Sequence, residues 1–213
     1  MSNKYGPRIV TDGLVCCLDA ADRNCYTSGT TAYDLTGNTN NGTIYNSPSI
    51  DINTGIISLS STNDYLAVNK VINAITIECW FNTPNRNNAP IIYAGGDGYN
   101  SGAWQWSLYY YNTALSWRPN AGGGGKIITD SVSLDTWYHF VMVRDSTTNV
   151  YLNGVWNSSV AWGYDTVTGY TRVGKAGSNY WNGSFAGLKL YNRTLSANEV
   201  QQNYNATKGR FGL

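Results

Sequence analysis

The chain has 213 residues, a length that one β-sandwich fills without a second domain. Charged residues make up only 13% and the net charge is +1, so there is no basic field to draw a phosphate backbone, which excludes nucleic acid as a main partner. No apolar run approaches the roughly 20 residues of a membrane span, and the N-terminus lacks an apolar core of signal-peptide length, so neither membrane insertion nor secretion is expected.

Taken in order, Ile9–Ala20 alternates and ends in Leu-Asp-Ala-Ala-Asp, a strand running into a polar loop. Adjacent Cys16 and Cys17 point to opposite faces of that strand. With Cys25 and Cys79 they show no metal or redox spacing, which predicts reduced, mostly buried thiols. Ile56–Leu59 and Asp64–Val68 read as short strands. In Ile75–Phe81 the odd positions share an apolar face, while Thr76, Glu78 and Trp80 share a mixed one. Ile91–Ala94 is a further strand, followed by a glycine-rich loop over Gly95–Gly102.

From Ala103 onward Trp104, Trp106, Leu108 and Tyr110 form an apolar face, and Gln105, Ser107, Tyr109 and Tyr111 a polar-aromatic one. Leu115 and Trp117 repeat the inward positions, with Ser116 and Arg118 outward. Gly122–Gly125 is a loop without the Lys-Ser/Thr ending of a phosphate cradle. Over Thr136–Asn157 two hairpins are written in residue types. Both faces of Tyr138–Val143 are largely apolar, which predicts a central strand between layers. Asn153-Gly154 then calls for a two-residue turn with positive φ at both positions. Gly177–Gly183 is another loop, and Ser196-Ala-Asn-Glu199 is a capping box opening a single helix over about Ala197–Ala206.

Four segments carry a family resemblance. Ala74–Pro84 (Ala-Ile-Thr-Ile-Glu-Cys-Trp-Phe-Asn-Thr-Pro), the central run with Tyr-Leu-Asn-Gly, Thr171–Gly174 (Thr-Arg-Val-Gly) and Gly183–Ser196 resemble the laminin G-like modules of the concanavalin A-like lectin superfamily. The opening Gly13–Ala20, with Tyr33-Asp-Leu-Thr-Gly-Asn38, resembles the start of such modules in the virion proteins of tailed bacteriophages. The resemblance implies an all-β, two-sheet antiparallel jelly-roll sandwich with one short C-terminal helix, a single domain over residues 1–213. It also implies a virion location after synthesis in the host cytoplasm. Residues 1–8 and 208–213 are expected as docking tails. The resemblance further implies a calcium site at the sandwich rim, although Ala186-Gly187 stands where the family often has Asp-Asp. Asp97, Asp19 and Asp22 are the residues that suit that hard cation.

An enzyme of this superfamily needs two carboxylates flanking the scissile bond. The chain has two glutamates: Glu199 belongs to the helix cap, and Glu78 has no acidic neighbour two or four positions away. No enzymatic activity is therefore expected. His139 is the only histidine, which excludes a histidine metal cluster, and its place in the central strand suits a core or interface residue. Sugar binding calls for aromatic rings beside amide and carboxylate groups. Two loops offer them, one with Asp97 and Tyr99, the other with Asn179, Tyr180 and Trp181; Tyr109, Tyr111 and Arg118 are expected to floor a groove between. The same residue types are enriched at subunit contacts. Two readings follow: a virion fibre, spike or adhesin that binds cell-surface glycans, and a capsid or tail decoration protein that uses the sandwich for assembly. Eight Trp and 17 Tyr exceed what one sandwich core is expected to hide, which predicts a homo-oligomer, a trimer for preference, or contacts with other virion proteins.

Overall fold

The computed structural model describes residues 7–60, 63–85, 89–95, 104–111, 114–118, 126–129, 132–160 and 170–213; at 69, 104–105, 111, 118, 126–129 and 160 it describes the backbone alone. The first strands are β1 (Leu14–Leu18), β2 (Thr31–Ala32), β3 (Gly42–Tyr45), β4 (Ser49–Asp51), β5 (Ile56–Leu59) and β6 (Tyr65–Val71). Next come β7 (Thr76–Asn82), β8 (Pro90–Gly95), β9 (Trp104–Tyr111), β10 (Ala114–Arg118), β11 (Lys126–Thr129) and β12 (Tyr138–Arg144). The last are β13 (Thr148–Leu152), β14 (Val155–Val160), β15 (Tyr170–Val173), β16 (Lys175–Ala176), β17 (Asn179–Tyr180) and β18 (Gly183–Tyr191). Helix α1 (Ala197–Thr207) and a 3₁₀ turn at Lys208–Phe211 close the chain.

Two large antiparallel sheets face each other as a jelly-roll sandwich. The first runs β14-β13-β12-β7-β18-β5-β4, with β1 also on β18; the second runs β11-β10-β9-β8-β15-β6-β3-β2. Alternation sends Ile77, Cys79 and Phe81 of β7, Phe140 and Met142 of β12, and Leu188 and Leu190 of β18 inward. There they meet Leu66, Val68, Ile92, Trp106, Leu108, Tyr110 and Trp117 of the second sheet. Each such side chain contributes roughly 1.5–3 kcal/mol by leaving water. The four thiols are free and buried, and burial pushes Cys17 up to about 11 and Cys79 up to about 12.

The expected double hairpin is present. Strand β12 pairs with β13 and β13 with β14, and Asn153 and Gly154 take φ of 52° and 78°. Strand β12 is central and covered on both faces, because a third layer lies on the outside of the first sheet. Helix α1 brings Val200 against Val141, Val143, Tyr151 and Tyr191, and Phe211 of the terminal turn stacks on Trp80 at 4.2 Å. The capping box is formed, with the Ser196 hydroxyl accepting from the Glu199 amide and the Glu199 carboxylate accepting from the Ser196 amide.

The stretch 208–213 lies against the sandwich: Phe211 packs on Trp80 and Trp137, and Arg210 is paired with Asp19. One expectation is corrected by the second sheet. The outer face of the second sheet is not open over β9 and β10. Ser107, Tyr109 and Ser116 are 2%, 5% and 3% exposed, so the polar-aromatic side is as buried as the apolar one. Among the described residues, no helix is long and apolar enough to cross a membrane.

Candidate functional site

On the outer face of the second sheet, β3 and β6 place Tyr45 directly across from Tyr65, because Ile44 and Leu66 at the preceding and following positions go into the core. Their rings stack at 4.2 Å and 5°. Tyr180 lies 6.4 Å from Tyr65 and tilted by 52°, and Lys175 puts its Nζ 4.4 Å from the Tyr65 centroid and 5.2 Å from that of Tyr180. All four side chains are half-buried. Beside them the Asn46 amide donates to the Asn63 carbonyl at 2.6 Å, fixing the ends of the two strands.

The hairpin that brings Lys175 and Tyr180 here depends on two local features. Gly174 has φ of +89°, and a Cβ on it would sit 2.2 Å from the Leu59 side chain, so only glycine lets the chain leave β15 this way. Trp181 is buried in the core, its Nε1 donating to Thr83 Oγ1 at 3.3 Å and its amide closing the hairpin on Gly174. The anchor fixes where the neighbouring Tyr180 ring stands. Burial pushes the Tyr65 phenol up, opposed by the Lys175 ammonium and by Arg172, which projects from the same outer face of β15. A platform of ring faces, amides and a cation is chemically suited to a sugar, whose C–H faces pack on rings while its hydroxyls take hydrogen bonds.

Of the residues expected at a sugar site, Asn179 and Tyr180 are half-buried in this hairpin. Trp181 is a core anchor and not a rim residue, and Tyr109 is buried. Tyr111 and Arg118 lie on β9 and β10 with side chains outside the described residues, and Asp97 and Tyr99 lie outside them altogether. The expected groove between two loops falls partly outside the described residues, because 96–100 are not among them. Gly95, where the first loop begins, pairs with Tyr170 at the start of β15, whereas the Lys175–Tyr180 hairpin leaves its far end, past Val173 and Ile92. Tyr45, Tyr65 and Lys175 were missed by sequence reasoning. The signal was present in Ile44-Tyr45 and Tyr65-Leu66, but it required knowing that β3 pairs with β6.

Of the calcium candidates, Asp19 is already engaged by a cation of the chain itself. Both Asp19 oxygens are taken by the Arg210 guanidinium, at 2.9 and 2.6 Å, and Asp22 Oδ1 accepts from the Asn24 amide. Asp97 lies outside the described residues. Among those described, no group of three or more His, Cys, Asp or Glu is placed to hold a metal.

Glu78 is the second unexpected feature. It faces Lys189 in cross-strand register on β18, with Oε1 accepting from Nζ at 2.7 Å, and His139 Nε2 lies 3.2 Å from the same oxygen. Oε2 accepts from Asn203 of α1, whose amide also reaches Tyr191. Burial is the largest single influence and pushes this carboxyl up, but the Lys189 ammonium, His139 and the hydrogen bonds from both together outweigh it and hold the group at about 2. Glu78 is fully buried, so the group that an acid/base role would have required is an internal counter-ion.

Residues 58–201 match a laminin G-like family model described as the concanavalin A-like lectin/glucanases superfamily. No curated protein matches the sequence. The fold is similar to a sialidase from Trypanosoma rangeli solved in complex with the inhibitor DANA, with a TM-score of 0.74 at 16% identity; the match covers 92% of this chain and 33% of the sialidase. Domain 4 of AbnA, a GH43 extracellular arabinanase from Geobacillus stearothermophilus solved in complex with arabinotriose, has a TM-score of 0.69 at 16% identity, covering 90% of this chain and 98% of that one. The receptor binding domain of a botulinum neurotoxin C/D mosaic serotype has a TM-score of 0.68 at 16% identity, covering 91% and 51%. The chain thus spans about one third of the sialidase and half of the neurotoxin domain.

Proposed function

We propose that this chain, which belongs to the concanavalin A-like lectin/glucanases superfamily, is a non-enzymatic carbohydrate-recognition domain of a virion structural protein, a phage fibre or spike that binds cell-surface glycans. The observation that carries the sugar reading is the half-buried platform of Tyr45, Tyr65 and Tyr180, with Lys175 and Asn179 at its side. The similar arabinanase domain, matched over 98% of its length and solved in complex with arabinotriose, supports a module of this size working in sugar recognition. The virion setting is supported by the opening Gly13–Ala20. A non-enzymatic role is supported by the engagement of Glu78 with Lys189 and of Glu199 with Arg193.

A glycan array on purified protein tests the reading. Wild type is expected to bind a defined set of glycans, and Tyr65→Ala and Tyr180→Ala to lose about tenfold or more in affinity at unchanged melting temperature, a loss of the order of one ring contact. Folded protein that leaves the whole array blank removes the reading. Release of reducing sugar from a β-glucan that disappears in Glu78→Gln would overturn the non-enzymatic part.

A decoration role without sugar is favoured by one observation. Val155 and Trp156 on β14, at the end of the first sheet, are 64% and 54% exposed. An apolar edge of this kind suits self-assembly, and a homo-oligomer, a trimer for preference, is compatible with either role.

A further inference from the structure

We infer that the tyrosine platform selects sugars bearing an anionic group, and that Lys175 is its specificity-determining residue. The inference rests on the carbohydrate reading of the same site.

Three of the described cations are paired with carboxylates. Lys189 is paired with Glu78, Arg193 with Asp12 and Glu199, and Arg210 with Asp19. Lys175 differs. Among the described residues no carboxylate lies within ion-pair reach of it, and what holds its ammonium is the faces of Tyr65 and Tyr180. The Tyr65 phenol oxygen is within reach of one N–H group, and ring faces attract the charge without taking up the others as oxygen acceptors would. The ammonium is therefore fixed in position, half-withdrawn from water, with donors left for a ligand.

The Arg172 guanidinium lies close enough to Tyr65 to act on its phenol, and at the strand ends the Asn46 side-chain amide donates to the Asn63 backbone carbonyl. A neutral sugar gains stacking here but leaves the ammonium unpaired. A carboxylate or sulfate on the ring gains the same stacking plus a charge-assisted hydrogen bond, which is the stronger kind. The hairpin geometry supports a built arrangement. Lys175 and Tyr180 are register partners, and Trp181 locks the hairpin into the core one residue later.

The experiment uses three ligand pairs that differ mainly in charge: an oligogalacturonide and its methyl ester, sialyllactose and lactose, and a sulfated oligosaccharide and its desulfated form. Titration calorimetry on the full chain is run at low salt and at about 0.5 M salt. In at least one pair the acid is expected to bind roughly tenfold tighter than its neutral partner, the order of one charge-assisted hydrogen bond, with the gap closing at high salt. Lys175→Met should abolish the gap, Lys175→Arg should retain most of it, and Tyr180→Ala, which removes a ring and one of the two faces that hold the ammonium, should weaken both ligands and the acid more. Which pair responds distinguishes carboxylate from sulfate. Equal binding within every pair, or a gap that survives in Lys175→Met, overturns the inference while leaving carbohydrate recognition intact. Silence of all six ligands and of the array overturns both. The salt dependence is read on wild type, so the inference stays testable even where a variant fails to fold.

Discussion

Glu78 shows how little a residue's immediate neighbours say about its role. Its strand offers Thr76 and Trp80 on the same side, which reads as a mixed face, yet its main partner Lys189 is 111 positions away. A lone glutamate and a lone lysine, each in the middle of an otherwise apolar strand, were the available signal; the register that joins β7 to β18 was not. Replacing Glu78 by Gln would strand the Lys189 ammonium in the interior, and a loss of about 3–5 kcal/mol is expected from urea denaturation at neutral pH. The Glu78→Leu/Lys189→Met pair, which removes both charges, should recover much of it. The pH dependence has a definite sign. Because the carboxyl is held at about 2, below its ordinary 4.5, its contribution is full above 4.5 and is lost as pH falls through about 2. Glu199, which the Arg193 guanidinium also holds at about 2, acts in the same window but more weakly because it is partly exposed. Stability that begins to fall well above pH 5 would contradict this assignment.

At the scale of elements, what was legible in the sequence is what is decided locally. The capping box and Asn153-Gly154 were readable because three or four consecutive residues settle each. The tyrosine platform was not, because it is assembled from β3, β6 and a hairpin more than a hundred residues later. The buried outer face of β9 and β10 was missed because alternation tells which side chains share a face and not whether another layer covers it. Gly154 gives the sharpest test of a local element. It has φ of +78°, and a Cβ there would meet Gln201 Nε2 and Tyr204 Cβ of α1, both at 3.0 Å, so a substitution strains the turn and presses on the helix. Gly154→Val is expected to cost about 1 kcal/mol or more, whereas Gly209→Ala, with nothing within 4 Å of the added carbon, should be near neutral. An unchanged melting temperature in Gly154→Val would mean that the turn relaxes freely.

Across the molecule, part of the aromatic complement among the described residues is held within the chain: Trp80 is covered by Tyr204 and Phe211 in a third layer, Trp181 lies under the hairpin, and Trp106 and Trp117 are in the core. The case for assembly narrows to one edge. Val155 and Trp156 stand on β14, the end strand of the first sheet, and the Trp156 indole is held by Asn149 Oδ1 at 3.3 Å, which presents a large apolar ring in a fixed position. If copies of the chain meet through this edge, Val155→Lys/Trp156→Ser should turn an oligomer into a monomer in sedimentation without lowering the melting temperature, because neither side chain supports the core. Truncation after Thr207 should do the opposite. It removes Phe211 from Trp80 and Arg210 from Asp19, so the fold loses stability while the β14 edge, and any assembly through it, is left in place. A wild-type chain that sediments as a monomer at every concentration would remove assembly through β14 and leave the tyrosine platform as the one surface with a proposed partner.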